Sequence, residues 1–134
     1  MARDALTIHE SAETTGWSPR MLRYIERSGL VVPARSASGY RLYGAAELQR
    51  LRTLRELLER FELGLSDVAF AQRLGDDGEL RGAVEEWLEA EPSRPEHVAA
   101  GDWLGWEQDK HQKLLAAAAA PPTNVTELTG GSTG

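Results

Sequence analysis

The 134 residues contain no cysteine. That removes disulfides, thiolate metal sites, iron–sulfur clusters and thiol redox sensing from this stretch of chain. No apolar run approaches the roughly 20 residues needed to cross a bilayer. The opening MARDALTIHE has no apolar secretory segment, so the expected location is the cytoplasm, and no membrane partner is expected. His9, His97 and His111 stand isolated from one another in sequence, so neither a metal nor another cofactor is expected. A glycine-rich phosphate loop, a cysteine nucleophile and a cluster of His with carboxylates are all missing, which makes an enzyme the least expected reading.

What is present is unevenly spread. The net charge is −6, but residues 1–60 hold ten Arg against seven acidic residues, a balance of +3. Residues 61–134 hold five basic against fourteen acidic residues, a balance of −9. A basic front and an acidic back suit a partner of negative charge that docks on one side only.

The front half reads as helix, turn, helix, hairpin. His9 to Thr15 forms a short helix that stops at Gly16. Ser18 is placed to cap a second helix, Pro19 to Ser28, with Pro19 at its first position and Gly29 as its stop. On that helix Arg20, Arg23, Tyr24 and Arg27 fall at i, i+3, i+4 and i+7, which sets three guanidinium groups and a phenol on one face. Met21, Leu22 and Ile25 supply an apolar back. Such a stripe is most often a solvated face. It is also the shape that enters a DNA major groove, where Arg bonds guanine and neutralises phosphate. The β-rich segments Val31–Arg35 and Gly39–Tyr43, joined by Ser36-Ala37-Ser38-Gly39, then predict a hairpin. In its second strand Tyr40 and Leu42 share one face, and Arg41 and Tyr43 share the other.

Downstream, Leu48, Leu51, Leu54, Leu58 and Phe61 mark a strong helix over Ala45–Phe61. A shorter helix is expected from Asp67 to about Leu74, capped by Ser66, and another from Glu79 to Ala90. His97 to Ala119 predicts a long helix with Trp103, Leu104, Trp106, His111, Leu114 and Leu115 on one broad face. The expected organisation is a DNA-binding unit over 1–75, a helical region over 79–119, and a disordered tail over 120–134.

The strings SPRMLRYIERSGLVVPAR, SGYRLY, ELQRLRTLRELLE and ELGLSDV resemble the DNA-binding domain of the MerR family of bacterial transcription regulators. The resemblance covers Leu6 to Leu74. It implies a mainly α fold: a winged helix-turn-helix with a small β-hairpin wing, followed by C-terminal helices. Carried across by position, it implies that Arg20, Arg23, Tyr24 and Arg27 meet bases and phosphates, and that Arg41 and Tyr43 grip the backbone from the wing. Arg35 joins them from the first wing strand. Ser18 matches a turn residue that bonds phosphate, although capping its own helix competes for it. Tyr40 is a further wing contact, with packing onto the core as the alternative, and Arg60 is assigned to a second wing. Glu26, set among arginines, reads as an internal salt-bridge partner. Three departures stand out. Ile25 occupies a position where the family often has a second Tyr, the span from Arg50-Leu51-Arg52 to Gly64-Leu65-Ser66 is about one helical turn longer than usual, which bears on the second wing, and a short helix and two prolines precede the helix that would dimerise.

The resemblance further implies a homodimer on double-stranded promoter DNA, twisting or bending the duplex so that RNA polymerase, reached through the promoter, can engage it. In that picture the protein is nucleoid-associated, and Trp103, Trp106, Leu114 and Leu115 face the second copy. The alternative for this helix is that it folds back over Leu80, Val84 and Trp87. Two other functions compete. One is a DNA-architectural or excisionase-like winged-helix module without promoter remodelling. The other is a protein-interaction domain acting through the acidic C-terminal half.

Overall fold

A computed structural model describes residues 4–63 and 67–119. The chain is mainly helical with one two-stranded sheet, in the order α1 (Ile8–Thr15), α2 (Pro19–Arg27), β1 (Ala34–Arg35), β2 (Arg41–Leu42), α3 (Ala45–Arg60), α4 (Asp67–Asp76), α5 (Gly78–Glu89), a 3-10 turn (Ala100–Asp102) and α6 (Trp103–Ala119). The mainly α, winged helix-turn-helix expectation holds. The calls that fall on residues 64–66 and on the 120–134 tail lie outside the described residues.

Local chemistry explains each boundary. Thr7 caps α1 through a reciprocal box: its hydroxyl accepts from the Glu10 amide, and the Glu10 carboxylate accepts from the Thr7 amide. At the other end Gly16 adopts φ +83°, a left-handed conformation, and donates its N–H to the Ala12 carbonyl. Ser18 caps α2 by accepting from the Met21 amide at 3.0 Å, and Pro19 opens the helix. Gly29 (φ +76°) ends it, as Leu30 N–H closes back onto the Ile25 carbonyl. The hairpin ladder is shorter than its β-rich sequence suggests. Only Ala34 with Leu42 and Arg35 with Arg41 pair between its strands. Tyr43 instead pairs across with Leu6, each amide donating to the other's carbonyl at 2.8 Å. This bridge ties the base of the wing to the segment before α1.

One buried apolar cluster runs from Leu6 through Trp17, Met21, Leu22 and Ile25 to Leu48, Leu51, Leu54 and Leu58, and on to Phe70, Leu80, Val84, Trp87 and Leu104. It crosses the boundary expected near residues 75–79. The Met21, Leu22 and Ile25 back of α2 is almost fully buried, as its spacing predicts. α5 packs on α3 and α4, and α6 packs on α1 and α3. The long C-terminal helix starts later than its apolar spacing suggests: residues 97–99 form a turn and extended segment, and the helical rise begins only at Ala100.

Polar side chains fasten these helices. Arg50 caps the end of α5, donating to the Trp87 carbonyl at 2.7 Å, the Ala90 carbonyl at 2.5 Å and the Leu88 carbonyl at 3.1 Å. Its guanidinium lies 3.9 Å from the centre of the Trp87 ring. The Gln49 amide donates to the Ser93 carbonyl and accepts from the Ser93 N–H, which pins the link between α5 and α6. Between α3 and α6 the fully buried Glu107 receives Arg52 Nε at 2.8 Å and the Trp103 indole N–H at 3.2 Å. His111, also buried, meets the Leu48 carbonyl through Nε2 at 2.7 Å.

Candidate nucleic-acid interface

The outward face of α2 carries Arg20, Arg23 and Arg27, all exposed. Tyr24 is half-buried. Its ring meets Phe70 of α4 edge-on, with centroids 6.1 Å apart at 89°, and the Arg27 guanidinium stands 5.9 Å from it. Tyr24 thus braces α2 against α4, and only part of it is left to reach a ligand. The Ser18 hydroxyl accepts a bond from its own helix. A hydroxyl can still donate while it accepts, so a phosphate contact would need its O–H turned outward.

On the wing, the structure reverses the expected roles of two tyrosines. Tyr40 is 71% exposed and stands at the hairpin turn. Tyr43 is 1% exposed and belongs to the core, so it does not grip a backbone. The physical reason is the Leu6 bridge, which holds the Tyr43 end of the second strand against the core. Burial, and then the charge of nearby Glu26, push the Tyr43 phenol up to about 12 against the opposing pull of Arg41, Arg35 and Arg23. No partner for its hydroxyl is found among the described residues.

Arg35 and Arg41 are present but engaged. Glu26 of α2 accepts from Arg41 Nε at 2.5 Å and from Arg35 Nη2 at 2.8 Å. Arg35 Nη1 also donates to the Gly39 carbonyl at 3.2 Å, in the wing turn. Burial raises the Glu26 pKa, but the hydrogen bonds and charges of Arg41 and Arg35 outweigh it and hold the carboxyl below its ordinary value. The internal role read for Glu26 is therefore seen directly.

The wing and α2 lie together. Arg23, Gly39, Tyr40 and Arg41 line one cleft of about 400 Å³ with Thr7, Ile8 and His9 at the start of α1. His9 is the member that sequence spacing misses, because only the tertiary fold brings the first turn of α1 beside the wing. Arg60 stands apart from this cleft. It is exposed at the end of α3 and lines a shallow groove with Thr53, Glu56, Leu57, Ala83, Glu86 and Trp87.

The four residues assigned to a partner copy find neighbours within the chain. Trp103 and Trp106 are half-buried. The Trp106 ring meets His97 edge-on at 6.0 Å, with Lys110 at 4.9 Å and Arg52 at 5.6 Å. Leu114 and Leu115 are half-buried too, and Leu115 reaches the Gly16 turn. The helix does fold back, but against α1 and α3 rather than over Leu80, Val84 and Trp87. Charged residues on its inner face, Glu107 above all, find partners on α3 that an apolar stripe does not reveal.

A short helix pair with an arginine face and an adjoining β-hairpin defines a winged helix-turn-helix. Residues 6–69, just under half of the chain, match the family described as MerR HTH family regulatory protein, and over this domain the chain is similar to that family. It is similar to the "Probable heavy metal-dependent transcriptional regulator" of Haemophilus influenzae, 45% identical over 51 residues, which are 37% of this chain and 40% of that protein. It is also similar to "HTH-type transcriptional regulator HmrR" of Sinorhizobium medicae and "Heavy metal-dependent transcription regulator 2" of Rhizobium meliloti. Each is 43% identical over 51 residues, covering 37% of this chain and 35% of the relative. The chain therefore spans between 35% and 40% of the length of these relatives.

Proposed function

We propose that this protein is a DNA-binding transcription regulator of the MerR type that docks α2 and the wing on double-stranded promoter DNA. The observation that carries the reading is the shared cleft: Arg23 of the recognition helix and Tyr40 and Arg41 of the wing converge on one side of the fold. In this reading Arg20, Arg23 and Arg27 meet bases and phosphates, and Tyr24 and Ser18 contribute from the edges of the same helix. Arg35, Tyr40 and Arg41 act from the wing, and Arg60 serves a separate phosphate. Such a protein works in the cytoplasm, on the nucleoid. The heavy-metal dependence in the relatives' names is not part of the proposal, since this stretch offers no thiolate for a soft metal.

The test is a titration of labelled duplex at rising salt. A protein that neutralises Z phosphates loses affinity with a log–log slope of about −0.9Z. A slope near zero, or no binding at low salt, refutes the proposal.

Two forms of the reading differ in stoichiometry. In the first, a homodimer spans a pseudo-palindromic site and distorts the spacer between promoter elements, at an elastic cost on the order of 1–6 kcal/mol. RNA polymerase then responds to the reshaped promoter. In the second, a single copy acts as a winged-helix module without remodelling. The packing of Trp103, Trp106, Leu114 and Leu115 within the chain favours the second form. Sedimentation with and without duplex separates them: a two-protein complex accompanied by DNA bending supports the first, and one copy per site supports the second.

A further inference from the structure

We propose that Glu26 is the positioning residue that sets sequence discrimination, by clamping both strands of the wing to the recognition helix. This rests on the DNA-binding reading above. The wing itself is slight. Each strand contributes two residues to the ladder, and a lone two-stranded hairpin is marginal in water. Its base is fixed by the Leu6–Tyr43 bridge, which ties it to the segment before α1 rather than to α2. Glu26 supplies the tie to α2. Its two oxygens take one bond from each strand: Oε2 from Arg35 on β1 and Oε1 from Arg41 on β2. Arg35 extends the tie to the turn through the Gly39 carbonyl. A single carboxylate on the recognition helix therefore orients the hairpin from its strands to its tip.

The clamp leaves the arginines able to work. Arg41 meets Glu26 through Nε, so its terminal nitrogens remain available to a phosphate, and a guanidinium has five N–H donors in all. The side chains of Arg41 and Arg35 stay 25% and 46% exposed, against 15% for Glu26. The carboxylate is thus the shielded centre, and the cations are the outer layer.

An acidic residue in the middle of a basic face opposes DNA in general. Two charges of +1 and one of −1 leave this cluster at +1, where the arginines alone would give +2. If charge were all that mattered, losing Glu26 would strengthen binding everywhere. If Glu26 positions the wing, its loss weakens binding where register matters and not elsewhere, because phosphate contacts place the protein while base contacts specify. The two outcomes have opposite signs at the specific site.

The experiment compares the 134-residue chain as wild type, Glu26→Gln and Glu26→Asp. The probes are a duplex selected from a random pool by the wild-type chain and a scrambled duplex of the same composition. Glu26→Gln is expected to lose about tenfold in affinity for the selected duplex, to hold or gain on the scrambled one, and to show a steeper salt slope by up to about one counterion. Glu26→Asp keeps the charge but is one methylene shorter, so it cannot reach both strands. It is expected to lose discrimination while its affinity for the scrambled duplex stays at the wild-type level. Circular dichroism confirms that each variant is folded, and should Glu26→Gln fail to fold, Glu26→Asp decides alone. An unchanged ratio of selected to scrambled affinity in Glu26→Asp overturns the positioning role and leaves only charge compensation. A wild-type chain that selects no duplex at all refutes the DNA-binding reading, and this inference with it.

Discussion

Replacing Gly16 with alanine should loosen the helix-turn-helix and the C-terminal helix together. Two separate costs meet at this residue. Gly16 holds φ +83°, where a side chain strains the backbone by about 1–2 kcal/mol. A Cβ built there would also lie 2.5 Å from Leu115 Cδ2 and 3.2 Å from Arg55 Nη1. Arg55 cannot easily retreat, because Nη1 donates to the Thr15 carbonyl at 2.7 Å and the residue is buried. Leu115 must therefore move by about 1 Å to regain an ordinary carbon–carbon contact of ~3.5–4.0 Å. Overpacking of this kind costs about 1–3 kcal/mol. Reduced freedom of the unfolded chain returns about 0.4–1 kcal/mol. The net loss for Gly16→Ala is then about 1–4.5 kcal/mol, read from the urea midpoint of the whole chain at constant slope. Leu115→Ala in the same chain separates the two costs. It removes the clash and leaves the strain, so the double variant should lose at least about 1 kcal/mol less than the sum of the singles. A loss below ~0.5 kcal/mol for Gly16→Ala, or strict additivity of the pair, would refute the claim that α6 braces the turn.

Three further predictions follow from the same packing. Arg23→Ala should weaken binding to a selected duplex by about 1–3 kcal/mol if Arg23 reads a base; unchanged affinity in a fluorescence titration removes it from the interface. Glu107→Ala should cost about 1–3 kcal/mol, since it leaves the largely buried Arg52 with only its 3.6 Å pair to Glu56, whereas breaking the exposed Lys113–Asp109 pair should cost less than ~1 kcal/mol; equal urea midpoints for the two variants contradict this. Burial holds the His111 imidazole below its ordinary value of 6.5, over the raising effects of the Leu48 carbonyl and Glu107 and together with the lowering effects of Arg52 and Arg55. The unfolded chain therefore takes up the proton first, so this contribution to stability is complete above about pH 6.5 and is lost as pH falls from there. His111→Gln should flatten the acid limb of the stability profile, and an unaltered limb means that other groups set it.

How far the sequence spoke depends on how local each determinant is. Ser18, Pro19, Gly16 and Gly29 act within a few residues, so the first two helices could be read almost to their ends. The wing's existence was legible for the same reason. Its orientation was not, because alternation divides Tyr40 from Tyr43 without saying which side faces the core, and Leu6, far away in the chain, decides it. The C-terminal helix shows the converse. Its aromatic and leucine spacing announces a buried face but is silent about whether a second copy or the same chain covers it. The deciding residues are polar. Glu107 and His111 lie on the covered face with partners on α3, and such buried polar groups are tolerated only where their partners are already in place. A dimer that used this face would have to break the Arg52–Glu107 pair or reproduce it between copies. Any partner of α6 is therefore better sought on its exposed side than on the tryptophan face.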